Sequence, residues 1–228
     1  MTARPILFSA PMVRAWFDGR KTQTRRIMKP QMTMYGNAYQ WKNCLAAGDG
    51  AGPNTVSPFC PYGSPGDLLW VRETWQLHSK ATDLGKVVYR ASESASHTEF
   101  HEMVPVALIG DLKPRPFQEG WRSSIHVPRW TSRLTLELTD VRVERLQDIS
   151  EEDAKAEGTE RLQCPDFRTA FSCVWYEIHG HAKGKSWNAD PWVWALSFRV
   201  HRCNIDNPTL RRFREAAPPP DSINNRTK

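Results

Sequence analysis

The clearest pattern along the chain is an alternation of apolar and polar positions. Leu134, Leu136 and Leu138 fall on one face of a pleated strand, and Val141 and Val143 resume the pattern after a slip near Asp140. A long strand over 134–146 with a bulge or bend is therefore predicted. Apolar-rich runs predict further strands at 6–8, at 68–75 behind the turn Pro65-Gly66-Asp67, at 87–91, and at 192–200 behind Pro191. A short strand is also predicted at 124–127, closed by Pro128-Arg129-Trp130. Elsewhere the period is helical. Met12, Val13, Trp16 and Phe17 follow Ser9 and Pro11, which suit a helix cap and first turn, and Gly19 suits the end. Ser150 precedes Glu151, Glu152 and Asp153, an acidic first turn that the helix dipole favours. Phe167, Phe171, Val174, Trp175 and Ile178 make the apolar stripe of another helix.

Residues 31–66 and 92–122 show neither period and read as irregular excursions. From about Asn204 the chain is polar, with consecutive prolines at 218–220, so a disordered tail is predicted over 204–228. Many strands with few, short helices predict an α+β chain, mostly β, built on a small curved sheet or barrel. The domain organisation expected is one unit over 1–203, carrying insertions at about 31–66 and 76–133.

Composition narrows the function classes. Ten Trp, nine Phe and five Tyr in 228 residues supply enough buried surface for a true core, which excludes wholesale disorder. No apolar run approaches the roughly 18–20 residues of a membrane span, and the N-terminal apolar stretch is too short for a signal peptide, so a cytoplasmic protein is expected. Cysteines at 44, 60, 164, 173 and 203 form no CxxC pair and are odd in number, which predicts reduced thiols and no cysteine-built metal site. His179-Gly180-His181 lacks further ligands at coherent spacing, and no phosphate-loop or dinucleotide fingerprint is present, so neither metal nor cofactor is predicted. A formal charge of +6, with 21 Arg against 10 Lys, permits a polyanionic partner, since Arg grips phosphate bidentately and stacks on bases.

The most unusual stretch is Gly19-Arg20-Lys21-Thr22-Gln23-Thr24-Arg25-Arg26, which packs four cations and two hydroxyls behind a short helix. If extended, it sets Thr22, Thr24 and Arg26 on one face and Lys21, Gln23 and Arg25 on the other. Such a cluster either binds a phosphate or a base edge or remains a solvated basic turn.

This Gly-Arg-Lys-Thr-x-Thr-x-Arg pattern resembles the ASCH domain, a relative of the PUA domain. The likeness continues at Gly66-Asp67-Leu68-Leu69-Trp70-Val71, at 134–146, at Leu146-Gln147-Asp148-Ile149-Ser150-Glu151 and at 192–200, about half the chain in the family's order. The whole resembles the longer ASCH proteins of phages and prophages. The resemblance implies a PUA-like β-barrel with a cleft for RNA or nucleosides. One ASCH branch deacylates N4-acetylcytidine with a Lys and a Thr of this motif and a Glu at the start of a later helix. Carried over, these are Lys21, Thr24 and Glu151, with Glu152 a competing acid. Amide hydrolysis needs a nucleophile, a proton acceptor and an orienting group. A lysine serves as acceptor only if burial or nearby cations lower its pKa, and Arg20, Arg25 and Arg26 push that way.

Further binding candidates are Arg20, Thr22, Arg25 and Arg26 in the motif, Arg72 and Glu73, and His126, Arg129 and Trp130. Arg72 or Glu73 either lines the cleft or forms an internal ion pair. His126 and Trp130 either hold a base by stacking or serve as packing. The expected partner is RNA or a modified cytidine-type nucleoside, with DNA the other nucleic acid the charge permits, and no membrane. A protein-interaction module and a metal-independent ribonuclease are the alternative functions. The sequence assigns no oligomeric state.

Overall fold

The protein is represented by a computed structural model, which describes residues 3–35, 38–42, 44–46, 52–92, 101–115, 120–180, 182–208 and 210. Parts of both predicted insertions and residues 211–228 of the predicted tail lie outside the described residues. The chain opens with β1 (Arg4–Leu7), α1 (Ala10–Phe17) and β2 (Gln23–Ile27), then the short β3 (Thr33–Tyr35), β4 (Ala38–Trp41) and β5 (Cys44–Ala46). There follow β6 (Leu68–Arg72), β7 (Trp75–Lys80), β8 (Leu84–Tyr89), β9 (His101–Pro105) and α2 (Val106–Ile109). The last elements are β10 (Thr135–Arg145), α3 (Glu151–Ala156), α4 (Phe167–His179) and β11 (Trp192–His201). Strands outnumber helices, and the architecture is α+β, mostly β. No helix is long and apolar enough to cross a membrane among the described residues.

The main sheet has the order β1-β6-β10-β11-β2, with β1 parallel to β6 and the other pairs antiparallel. Its spine is the β10–β11 ladder, whose register shifts between Leu138 and Asp140, where the alternation of apolar side chains slips in the sequence. Leu136, Leu138, Val141 and Val143 are buried on its inner face together with Trp194, Leu196 and Phe198. Helix α1 caps this core: Trp16 packs edge-on against Phe8 at 4.2 Å and Phe198 at 5.9 Å between ring centroids.

The expected barrel does not close. Strands β1 and β2 are the two edges of the sheet and form no ladder with each other. They nevertheless approach: Arg26 of β2 donates from Nη2 to the Leu7 carbonyl at 2.6 Å, and its guanidinium lies 4.6 Å from the Phe8 ring centre. A side chain stands where a backbone partner would have closed the sheet, so the result is a curled sheet with a cleft along its seam.

The insertions are more regular than their composition predicts. Strands β3, β4 and β5 make a small sheet, and Trp41 of β4 packs edge-on against Trp194 of the main sheet at 5.3 Å. Strands of three or four residues are too short to display an alternation. Strands β7, β8 and β9 form a third sheet with its own core of Trp75, Leu77, Val87, Tyr89 and Val104. The strand predicted over 68–75 is therefore two strands in different sheets. The chain breaks at Glu73, which is buried and held by Arg133 through Nε–Oε1 at 2.8 Å and Nη2–Oε2 at 2.9 Å. Residues Ser124–His126 form a 3-10 turn rather than a strand, because the Ser123 hydroxyl caps it by accepting from the Ile125 N–H. The beginning of the predicted tail is packed: Ile205 and Leu210 are buried against Leu68.

Helix α3 starts as its acidic turn predicts, with the Ser150 hydroxyl accepting from Asp153 N at 3.1 Å. Helix α4 is capped by Asp166, and Phe171 and Trp175 of its apolar stripe enter a cluster with Leu146, Ile149 and Val193. Ile27 of β2 packs on the same cluster, so α4 flanks the open edge of the main sheet.

Candidate functional site

The cationic motif is laid out by the end of α1. Gly19 adopts φ +72°, and the Arg20 and Lys21 amides both donate to the Ala15 carbonyl, which turns the chain sharply off the helix. Thr22 then donates to Ala156 O at 2.8 Å and accepts from Phe198 N at 3.0 Å, threading the segment between the end of α3 and β11. Extended backbone follows into β2, so side chains alternate.

On one face, Lys21, Gln23 and Arg25 meet the acids of α3 and β10. Lys21 is fully buried, and its Nζ donates at 2.7 Å to Glu157 Oε2 and at 2.7 Å to the Glu157 carbonyl. Gly158 makes this approach feasible: its φ is +81°, and a Cβ there would sit 2.8 Å from Lys21 Cβ and 2.9 Å from Ala15 Cβ. Burial pushes the Lys21 ammonium below its ordinary pKa; the Glu157 carboxylate opposes that, and Arg26 and Arg25 add to it.

The Arg25 guanidinium is wholly buried and reaches Gln23 Oε1 (2.8 Å), Glu157 Oε1 (3.3 Å), Asp153 Oδ2 (2.9 Å) and Glu144 Oε1 (2.5 Å). Arg142 joins the same Asp153 oxygen at 2.9 Å. Three cations (Lys21, Arg25, Arg142) thus meet the carboxylates of Glu144, Asp153 and Glu157, and the exposed Asp140 adds a fourth at 3.2 Å from Arg142, so every cation of the cluster is matched by an acid. Burial raises the Asp153 carboxyl, but hydrogen bonds from Arg142 and Gln23 with the charges of Arg25 and Arg142 outweigh it and hold the group below its ordinary range.

On the other face, Thr24 and Arg26 look into the seam. A cavity of about 350 Å³ opens there, floored by Thr24, Arg25 and Glu157 and walled by Phe8 of the β1 end and by Phe171, Trp175 and His179 of α4. Its size is that of a small-ligand site: mostly apolar walls with a few convergent polar groups. The Thr24 hydroxyl has no hydrogen bond to any described residue, so it is free to engage a ligand. His179 stacks 4.6 Å from Trp175, and burial, then the charges of Lys185, Arg26 and Lys29, push its imidazole below the ordinary pKa. No cluster of His, Cys, Asp and Glu able to hold a metal is present among the described residues.

The structure brings Thr24, Arg25 and Arg26 to this cavity and buries Lys21 behind Glu157, but Glu151 lies elsewhere. Both Glu151 oxygens accept from the first backbone amides of α4, Phe167 N at 2.9 Å and Arg168 N at 3.1 Å. Glu151 is thereby consumed as a clamp between α3 and α4, facing a separate hollow with Ser150, Asp166 and Arg168. Glu152 is exposed and makes no contact with the cluster. The acid that meets Lys21 is Glu157, just past the other end of α3.

Arg20 turns outward to Gly158 O, Asp18 and Glu160, and Thr22 is exposed. Neither Arg72 nor Glu73 lines the cavity: Arg72 lies over the Trp70 ring at 5.5 Å, and Glu73 is the buried partner of Arg133. Burial raises the Glu73 carboxyl above its ordinary pKa despite Arg133. His126 is exposed, Arg129 pairs with Asp206 at 2.7 Å, and Trp130 packs edge-on against Trp75 at 6.0 Å. The cavity rim is reached instead by Ser124 of the second insertion and by Thr74, just ahead of it.

Glu157 and His179 are the site residues that sequence reasoning missed. A signal for Glu157 existed: an acid beside the C-terminus of a helix opposes the dipole, and a glycine directly follows it. No family model matches the chain, and neither a curated protein nor a solved structure matches it significantly. The functional reading therefore rests on the chemistry of the site.

Proposed function

We propose that the chain is an ASCH-like protein of PUA-like fold that binds a cytidine-type nucleoside, free or within RNA, in the seam cleft. The observation that carries this reading is the free Thr24 hydroxyl beside the Glu157 carboxylate in a cavity with aromatic walls. Phe8 and Trp175 offer faces for a base, while a carboxylate and a hydroxyl suit the donor and acceptor groups of its polar edge. Thr24 of the 19–26 motif lines the cavity, and Lys21 of the same motif is bonded to the Glu157 carboxylate that lines it.

The same residues support deacylation of an N4-acyl cytidine. Thr24 Oγ attacks the acyl carbonyl carbon, its proton passing to the Glu157 carboxylate, which lines the same cavity. The C–N bond then breaks, the Glu157 carboxyl returns the proton to the leaving amine, and water hydrolyses the threonyl ester to release the carboxylate. Lys21 holds the Glu157 carboxylate from behind by a 2.7 Å hydrogen bond, whereas Glu151, the glutamate the resemblance points to, clamps the α4 amides instead.

The test combines calorimetric titration of cytidine and N4-acetylcytidine with an assay for acetate release. Binding with release that is lost in Thr24→Val supports both steps. Binding with no release leaves a reader of nucleosides without chemistry. Absence of binding to either nucleoside refutes the proposal.

A further inference from the structure

Next to the seam cavity lies a second hollow of about 590 Å³ that shares Leu7, Arg25, Arg26 and His179 with it. The two are neighbours, and Arg26 lines both. The second is lined in addition by Lys29, Lys185, Tyr62 and Trp194 and by no carboxylate. Lys29 and Lys185 have no ion pair or hydrogen bond from their ammonium groups to any described residue. Arg26 gives one nitrogen to the Leu7 carbonyl and keeps its remaining donors.

The contrast across β2 is informative. In the Arg25 cluster every cation is matched by an acid, whereas in the second hollow Arg26, Lys29 and Lys185 converge with no carboxylate in the lining. They are close enough to act together, since Lys185, Arg26 and Lys29 each depress the His179 imidazole. Gathering like charges around a concave, partly desolvated surface is unfavourable unless an anion is bound there. A planar guanidinium flanked by two flexible ammonium groups suits a tetrahedral oxyanion.

We infer that this hollow seats a phosphate covalently joined to the nucleoside in the seam cavity, so that the ligand is a nucleotide or a nucleotide within a strand. The inference rests on the reading of the seam cavity as a nucleoside site. It adds Lys29 and Lys185 to the binding surface and makes Arg26 a residue that touches both halves of the ligand.

The experiment titrates the full chain with cytidine, cytidine 5′-monophosphate, the dinucleotide CpA and inorganic phosphate, at low and raised salt. The monophosphate should bind at least tenfold more tightly than cytidine at low salt, and the advantage should shrink as salt rises. In Lys29→Gln/Lys185→Gln the ratio of the two affinities should fall to within about twofold. Lys86→Gln/Lys113→Gln, which removes the same charge outside the hollow, should keep the ratio. Equal affinities for cytidine and its monophosphate in the unaltered protein would overturn the phosphate subsite while leaving the nucleoside site standing. Phosphate binding that depends on Lys29 and Lys185, without any cytidine binding, would support the anion site and refute the nucleoside reading. Loss of the ratio in the control pair as well would overturn the inference, because net charge alone would then explain it. A preference for CpA over the monophosphate identifies a strand, and the reverse a free nucleotide; both support the subsite.

Discussion

Replacing Lys21 by methionine removes the ammonium but keeps a side chain of similar length. The group is completely buried and makes two hydrogen bonds of 2.7 Å, both to Glu157, whose own side chain is only 4% exposed. Breaking a buried ion pair from one side costs about 3–5 kcal/mol, because the remaining charge is stranded. The low end applies, about 3 kcal/mol, since Arg25 Nη1 still lies 3.3 Å from Glu157 Oε1. For a chain of this length that corresponds to a melting temperature lower by about 6–12 °C. Glu157→Gln should cost a similar amount, because Lys21 keeps the Glu157 backbone carbonyl but loses its counter-charge. Removing both partners together should be much cheaper than the sum, about 1–2 kcal/mol, as the desolvation of the pair is relieved. Urea unfolding of the single and double variants measures the coupling, which should be at least about 2 kcal/mol. The sign of the pH dependence provides a second check. Between the lowered Lys21 pKa and its ordinary 10.5, the unfolded chain holds more protons than the folded one. This group's contribution to stability therefore rises with pH across that window, and Lys21→Met should lack the rise. Additive single and double costs, or single costs below about 1 kcal/mol, would refute the picture of a sealed, charge-coupled pair.

Three more outcomes follow from the geometry. Gly158→Ala combines a left-handed φ with Cβ contacts at 2.8 and 2.9 Å, so it should cost about 2–4 kcal/mol, read as a fall in melting temperature. Glu151→Gln weakens the caps on Phe167 N and Arg168 N and should cost about 1 kcal/mol while acetate release persists, whereas Glu157→Gln should abolish release. For His179, whose folded pKa lies below the ordinary 6.5, the unfolded chain binds more protons between those two values. Its contribution to stability is thus present above pH 6.5 and lost as pH falls through that window, and His179→Gln should flatten this part of the stability profile.

The alternation Leu134-Leu136-Leu138 and its slip near Asp140 predict the longest strand and its register shift because the side-chain period is local information. The same holds for the two faces of 21–26: Lys21, Gln23 and Arg25 gather on one, and Thr24 and Arg26 look away from them. What fails to show in sequence is long-range. Nothing local says that β1 and β2 become opposite edges of one sheet, or that Arg26 bridges them by bonding Leu7 O. Glu151 was legible as a residue in the first turn of a helix, but its capture by the α4 amides depends on how two helices dock. Glu157 carried a local signal as an acid at a helix C-terminus, but its pairing with Lys21 was illegible, since that partner lies 136 positions away.

The buried charges bear on function through placement. A hydrophobic residue at Arg25 would fill the space and avoid the desolvation of an ion, and buried ion pairs are weak contributors to net stability. What an apolar residue would not supply is direction. Arg25 is tied to four acceptors on three elements: Gln23 on β2 itself, Glu144 on β10, and Asp153 and Glu157 at α3. These bonds hold an edge strand that is paired on only one side by β11. Because side chains alternate along β2, holding Arg25 on the acidic face forces Thr24 and Arg26 onto the opposite one, toward the seam. Lys21 fastens the preceding residues to the same Glu157, so the entire motif is held from behind. The ion-pair cluster thus acts as a mount, and the groups left without partners in front of it, the Thr24 hydroxyl and the spare donors of Arg26, are those available to a ligand.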